Sequence, residues 1–178
     1  MQLKAWIFSV YFVGWSASAQ LMIPTAFGAS FVQKVTTPTH KTIRYSGTLN
    51  INKTRAFRWK YVHPKAKEIC GDGAEVRIVD HDLEQVIVYR VGGLLDLMQL
   101  LKRAQRYRDQ LYTAKYHGVT YTLKLNQQGR IEQIAYKDDL DNVVHIRFRN
   151  IQYLDRSFGQ EDLVCPVPKG YDIVREKL

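Results

Sequence analysis

Cysteine is scarce in this chain, serine is almost absent beyond the first nineteen residues, and neither stands where chemistry would need it. The two cysteines, Cys70 and Cys165, form no C-x-x-C pair, and the five histidines, His40, His63, His81, His117 and His145, are scattered singly. No metal-ligand spacing results. Past residue 19 the serines are Ser30, Ser46 and Ser157, none of them in a G-x-S-x-G elbow. No glycine-rich run follows a strand pattern to cradle phosphate. The carboxylate clusters are equally poor sites. Asp80-His81-Asp82 falls in a hairpin turn, and Asp138, Asp139 and Asp141 lack the glycine and terminal glutamate of a calcium loop. The sequence therefore points to no catalytic residue, metal or cofactor, and to a protein that is not an enzyme.

Long apolar runs are also missing. A membrane span needs roughly 20 apolar residues, and the longest run here, Ala5 to Val13, falls well short. It follows Lys4 and precedes Gly14 and the small-residue stretch Ser16-Ala17-Ser18-Ala19, the three-part build of a secretory signal. The expectation is a signal peptide over 1–19, cleavage before Gln20, and a single exported domain over 20–178. No cysteine occupies the cleavage position, so the mature chain is expected to carry no lipid.

Acidic residues are the minority charge, 17 against 26 lysines and arginines, for a formal net charge of +9. A basic balance usually suggests nucleic acid, which export makes unsuitable. Anionic lipid headgroups, acidic patches on partner proteins, or a merely solvated basic surface remain. Export also places both cysteines in an oxidising compartment, which permits a disulfide between them.

What is present is alternation. In Phe57-Arg58-Trp59-Lys60-Tyr61 the aromatic side chains share one face and the cations the other, because successive strand residues point to opposite sides of a sheet. Arg58 and Lys60 are accordingly expected in solvent. The same period places Phe27, Ala29, Phe31, Gln33 and Val35 together, and Tyr45, Gly47, Leu49, Ile51 and Lys53 together. Further strands are read at Glu75 to Asp80, Val86 to Val91, Val119 to Leu125, Ile131 to Tyr136 and Val143 to Tyr153, separated by Asx- or glycine-bearing turns. After Gly92-Gly93 the period changes to three and four through Leu94, Leu97, Met98, Leu101 and Ala104, predicting a helix from Leu94 to Tyr107. So much sheet against one helix tends to curl.

Three further features accompany the aromatic strand: Pro64 after it, the approach Ile69-Cys70-Gly71-Asp72-Gly73, and the aspartate-rich turn ending in Glu84-Gln85. Together with the opening Phe27 to Val35 and the closing Glu161 to Val174, this order resembles the LolA family of periplasmic lipoprotein carriers, from Phe27 to Val174. The resemblance implies a mainly β fold, an incompletely closed antiparallel β-barrel with a helical lid over an apolar cavity. Cavity residues would be Leu49, Ile51, Phe57, Trp59, Tyr61, Leu97, Met98 and Leu101. Lys53 would stand where the family has a lid-latching arginine, with a single flexible donor in place of a planar fork. The family's opening amphipathic helix has only Gln20 to Ala26 available here, interrupted by Pro24.

The implied function is that of a monomeric carrier in the periplasm. It would take acylated lipoproteins from an inner-membrane ABC-type release complex, shield their acyl chains, and deliver them to an outer-membrane acceptor. Two rival readings share the barrel. A lipid- or lipoprotein-sensing module would usually carry a second domain, and an outer-membrane acceptor would need a lipidated cysteine where Gln20 stands.

Overall fold

The computed structural model describes residues 21–90 and 96–176. The expected signal peptide and the Gly92-Gly93 break lie outside the described residues. Among the described residues twelve strands form one sheet. In chain order they are β1 (Ala26–Thr36), β2 (Thr42–Asn52), β3 (Phe57–His63), β4 (Lys67–Gly71), β5 (Glu75–Asp80) and β6 (Gln85–Arg90), followed by α1 (Leu97–Arg103). Then come β7 (Gln105–Arg108), β8 (Leu111–Tyr116), β9 (Val119–Leu125), β10 (Ile131–Lys137), β11 (Val143–Leu154) and, after a short 3-10 turn, β12 (Asp172–Glu176).

The spatial order is β12-β6-β5-β4-β3-β2-β1-β11-β10-β9-β8-β7. Neighbours are antiparallel except for β12, which lies parallel to β6. Among the described residues the first and last strands of that order do not pair, so the sheet curls without closing.

Alternation decides which face is dry. Phe27, Ala29 and Phe31 of β1, Leu49 and Ile51 of β2, Leu123 and Leu125 of β9, and Val144, Ile146 and Phe148 of β11 all turn inward and are buried in one cluster. Gly47 is needed where β3 crosses close to β2, because a Cβ there would collide with the Lys60 carbonyl oxygen. The hairpins are set by a repeated device in which one aspartate or asparagine oxygen accepts two backbone N–H groups. Asp72 Oδ1 takes Ala74 and Glu75, Asp80 Oδ1 takes Asp82 and Leu83, Asn126 Oδ1 takes Gln128 and Arg130, and Asp138 Oδ1 takes Leu140 and Asn142.

The helix is shorter than its apolar spacing predicts. Ala104 adopts an extended backbone (φ −66°, ψ 126°), which ends α1 at Arg103. Gln105 to Arg108 then pairs with β8 as an edge strand with every residue exposed. That stretch has no apolar face to hold against a core, and a charged edge strand is a stable alternative. Before β1, the described residues 21–25 form no helix; Met22 N–H donates to the Gly129 carbonyl at 3.1 Å, and Leu21 packs against the core.

The C-terminal segment straps the outer face of the sheet. Asn52 exchanges two hydrogen bonds with the Phe158 backbone, at 2.9 and 3.2 Å. Cys165 is disulfide-bonded to Cys70, with Cα atoms 5.8 Å apart. It sits in an irregular segment between the 3-10 turn and β12. A second apolar cluster of Cys70, Val79, Val86, Val88 and Cys165, with Tyr171 against it, forms under the strap.

Candidate functional site

The inner face of β3 makes an aromatic wall. Trp59 is buried and stacks on Tyr61 with ring centroids 6.2 Å apart and planes 10° apart. Phe31 of β1 meets both rings edge-on, at 5.3 and 5.2 Å. Phe57 continues the row, its ring lying over Gly71, where any side chain would collide with it. Facing these rings, Tyr121 and Tyr136 are 4.8 Å apart on β9 and β10.

Between them lies a cavity of about 390 Å³, lined by Phe57, Trp59, Tyr61, Ile69, Val119, Tyr121, Tyr136 and Ile146, with Gln33. His117, Asp138 and Asp139 complete the lining. The volume is within the range of small-molecule sites.

Few polar groups interrupt the wall. Tyr61 Oη donates to Gln33 Oε1 at 3.0 Å. Burial raises the Tyr61 hydroxyl above the ordinary phenol range, helped by Tyr136 and Tyr45, and burial likewise pushes Tyr136 up to about 12. Both rings thus stay neutral over any physiological pH, and the aromatic interior carries no tyrosinate. The Trp59 indole N–H has no hydrogen-bond partner among the described residues. At Asp138 burial opposes ionisation, but the Asn142 side chain and the N–H groups of Asn142 and Leu140 outweigh it, so its carboxyl stays below the usual range.

The helix closes the inner face over the rest of the barrel. Leu97, Met98, Leu100 and Leu101 are each at most 1% exposed and pack in the same cluster as Phe27, Phe31 and Leu49. Asp96 caps the helix, its Oδ1 accepting from Gln99 N–H at 3.0 Å, while its Oδ2 takes Arg55 Nε at 3.0 Å. The last turn carries Lys102 and Arg103, which suit the negative end of the helix dipole. Arg103 also lies 5.3 Å over the Tyr116 ring.

The residues expected to line a cavity therefore divide. Phe57, Trp59 and Tyr61 line it. Leu49, Ile51, Leu97, Met98 and Leu101 are instead packed against one another as core beneath the helix.

Among the described residues Lys53 makes no hydrogen bond or ion pair to the helix. β2 ends at Asn52, so the alternation that put Lys53 with Leu49 and Ile51 stops one residue short, and Lys53 is exposed in the turn. Arg55 contacts the helix cap in its place. No periodic signal marks Arg55, because it lies in a turn with φ at 77°. Gln33, Tyr121 and Tyr136, by contrast, follow the period-two pattern of β1, β9 and β10.

Arg58 and Lys60 were expected free in solvent, yet both turn onto Glu68. Arg58 is 2.7 Å and Lys60 3.8 Å from its carboxylate, which is 5% exposed, and His81 Nε2 lies 3.5 Å away. The other His81 nitrogen reaches Tyr171 Oη at 3.2 Å. Glu68, Cys70 and Cys165 converge closely enough to suggest metal ligands, but the two sulfurs are bonded to each other and the carboxylate is ion-paired with Arg58 and Lys60.

A family model described as outer membrane lipoprotein carrier protein LolA matches residues 24–115. An outer-membrane lipoprotein carrier protein from Campylobacter jejuni is 34% identical over 172 residues, covering 97% of this chain and 99% of the relative. A protein of the same description from Wolinella succinogenes is 29% identical over 152 residues, covering 85% of this chain and 87% of its own. Among solved structures, an uncharacterized conserved protein from Thermus thermophilus shares the fold with a TM-score of 0.55 at 12% identity, covering 86% of this chain and 92% of that one.

Proposed function

The chain belongs to the LolA family of outer membrane lipoprotein carriers, and from that premise we propose that its aromatic cavity receives the acyl chains of lipoproteins in transit through the periplasm. The observation that carries this reading is the wall of Phe57, Trp59 and Tyr61, which leaves apolar surface open to a cavity when the remaining core is closed. A folded chain gains by filling such a space, and an alkyl chain fills it.

Magnitudes explain why a carrier is needed at all. At about 0.8 kcal/mol per buried CH₂, three acyl chains of ordinary length represent roughly 35 kcal/mol of apolar exposure. Non-covalent affinities saturate near 18 to 21 kcal/mol. Cargo therefore passes from mouth to mouth between sites of comparable affinity, without release into water. The donor is an ABC-type release complex of the inner membrane, the recipient an outer-membrane acceptor, and the carrier acts as a monomer without catalysis.

The lid suits loading. A helix of seven residues is too short to stand alone, so its stability comes from Leu97, Met98, Leu100 and Leu101 against the barrel. Cargo that occupies their place in the core can displace it. The Arg55–Asp96 contact, with Arg55 46% exposed, contributes at most about 1 kcal/mol.

The test is uptake of a fluorescent alkyl probe by the wild type, displaced by an acylated lipopeptide. Saturable, displaceable uptake is expected. A folded wild type that takes up no probe would overturn the carrier reading.

A further inference from the structure

We propose that the outer face of β2, β1 and β11 is an adhesion surface for anionic phospholipid headgroups, so that the protein settles reversibly on bilayers through the side opposite its cavity. These three adjacent strands at the middle of the sheet contain no aspartate or glutamate. Their basic residues are Lys34, Arg44, His145, Arg147 and Arg149, and all five are exposed.

Register gathers them. Lys34 is the cross-strand partner of Arg44 on one side and of His145 on the other, so three basic side chains stand in one row. Arg147 and Arg149 extend the patch along β11 on the same face, since the intervening Val144, Ile146 and Phe148 are buried on the inner side. Strands lie about 4.8 Å apart, and same-face residues recur about every 6.7 Å along a strand. The result is a two-dimensional lattice of basic side chains, four of them lysine or arginine.

Such an array costs stability, because like charges directly opposite one another weaken a sheet. On other strands several cations are paired with acids. Lys67 meets Asp80, Lys124 meets Glu132, Lys137 meets Asp141, and Arg58 and Lys60 share Glu68. Among the described residues none of the five has an acidic partner. Nor do the described residues cover them: the C-terminal strap crosses the outer face at Gly28, Asn52, Cys70 and His81, away from the row.

The occupant follows from what the patch has and lacks. Stable protein partners are held by aromatic or aliphatic anchors buried in pockets, and the outward neighbours here are Ser30, Val32, Ser46, Thr48 and Gln133. A charged bilayer asks for no anchor. It attracts each nearby lysine or arginine over a distance of about a Debye length, without fixed geometry. Because the cavity and helix lie on the inner side of the same strands, adhesion leaves them free.

The test is sedimentation of the wild type with vesicles of phosphatidylcholine alone and of phosphatidylcholine with about one quarter phosphatidylglycerol, at low and high salt. Binding to the anionic vesicles alone is expected, and it is lost at high salt. Arg147→Gln and Arg149→Gln should each weaken it about fivefold, and the double variant about twenty-fivefold. Lys34→Gln with Arg44→Gln should do the same. Lys169→Gln with Arg175→Gln makes an equal change of net charge away from the strip and should leave binding within about twofold. Alkyl-probe uptake should stay at the wild-type level in every variant, which reports folding. Failure of the wild type to take up probe would bear on the cavity alone.

Equal losses in the patch and control doubles, or equal binding to both vesicle types, would overturn the proposal. So would failure to bind anionic vesicles. If in that case polyglutamate were captured by the wild type and not by Arg147→Gln/Arg149→Gln, the strip would belong to an acidic protein instead.

Discussion

Arg55 and Asp96, 41 residues apart in the chain, meet with Nε 3.0 Å from Oδ2, and the other oxygen of the same carboxylate caps α1. One aspartate thus holds the start of the lid and ties it to the β2–β3 turn. The two roles separate by mutation. Arg55→Ala removes only the tie, about 0 to 1 kcal/mol for so exposed an arginine. Asp96→Ala removes the cap as well, typically about 1 kcal/mol more. Amide hydrogen exchange of Leu97 to Arg103 should be fastest in Asp96→Ala, slower in Arg55→Ala and slowest in wild type. Lys53→Ala should match wild type, since Lys53 is exposed in the turn and the helix cap is held by Arg55.

Phe57 and Leu101 should respond differently to the same charge. Phe57 is half-buried on the cavity wall, whereas Leu101 is 1% exposed in the core. Phe57→Glu should leave circular dichroism native and abolish alkyl-probe uptake. Leu101→Glu should lower stability by several kcal/mol, because an unpaired carboxylate would be buried. Denaturant midpoints together with probe titrations decide the matter, and a native-like Leu101→Glu would contradict the packing of the helix.

The disulfide closes a loop with a sequence separation of 95 residues. In the chain-entropy model that is worth about 4 to 5 kcal/mol, and often less in practice. Replacing Cys70 and Cys165 together with alanine should lower the denaturant midpoint accordingly. Proteolysis within 155–171 should accelerate by more than cleavage of the inner strands, because the pairing anchors the strap. Unchanged protection there would place the strap's hold in the Asn52–Phe158 and His81–Tyr171 contacts.

Asp80 provides a pH signature. Burial alone would raise its carboxyl, but the Lys67 hydrogen bond and charge, with the N–H groups of Leu83 and Asp82, hold it below the ordinary 3.8. A group depressed in the folded state stabilises above its unfolded pKa and loses that contribution as pH falls through the folded value. Asp80→Asn should therefore be less stable than wild type near neutrality, by about 1 to 3 kcal/mol. The difference should shrink as pH drops below 3.8, a convergence that urea titrations at stepped pH would reveal.

Alternation alone delimited β9, β10 and β11 closely and placed Phe57, Trp59 and Tyr61 on one face, because a period of two is a property of local backbone geometry. Local pattern is silent on which apolar residues become wall and which become core. Leu97, Met98 and Leu101 carry the same helical spacing in either role, and only the depth to which α1 sinks among Phe27, Phe31 and Leu49 decided it. The lid contact was likewise invisible to periodicity. Where β2 ended settled whether Lys53 or Arg55 would reach Asp96, and that end is set by long-range pairing of Asn52 with Ala26 and with the Phe158 backbone. The cationic strip has the same origin. Lys34, Arg44 and His145 are each ordinary along the chain, and the register of three strands, fixed by burial of their opposite faces, is what sets them side by side.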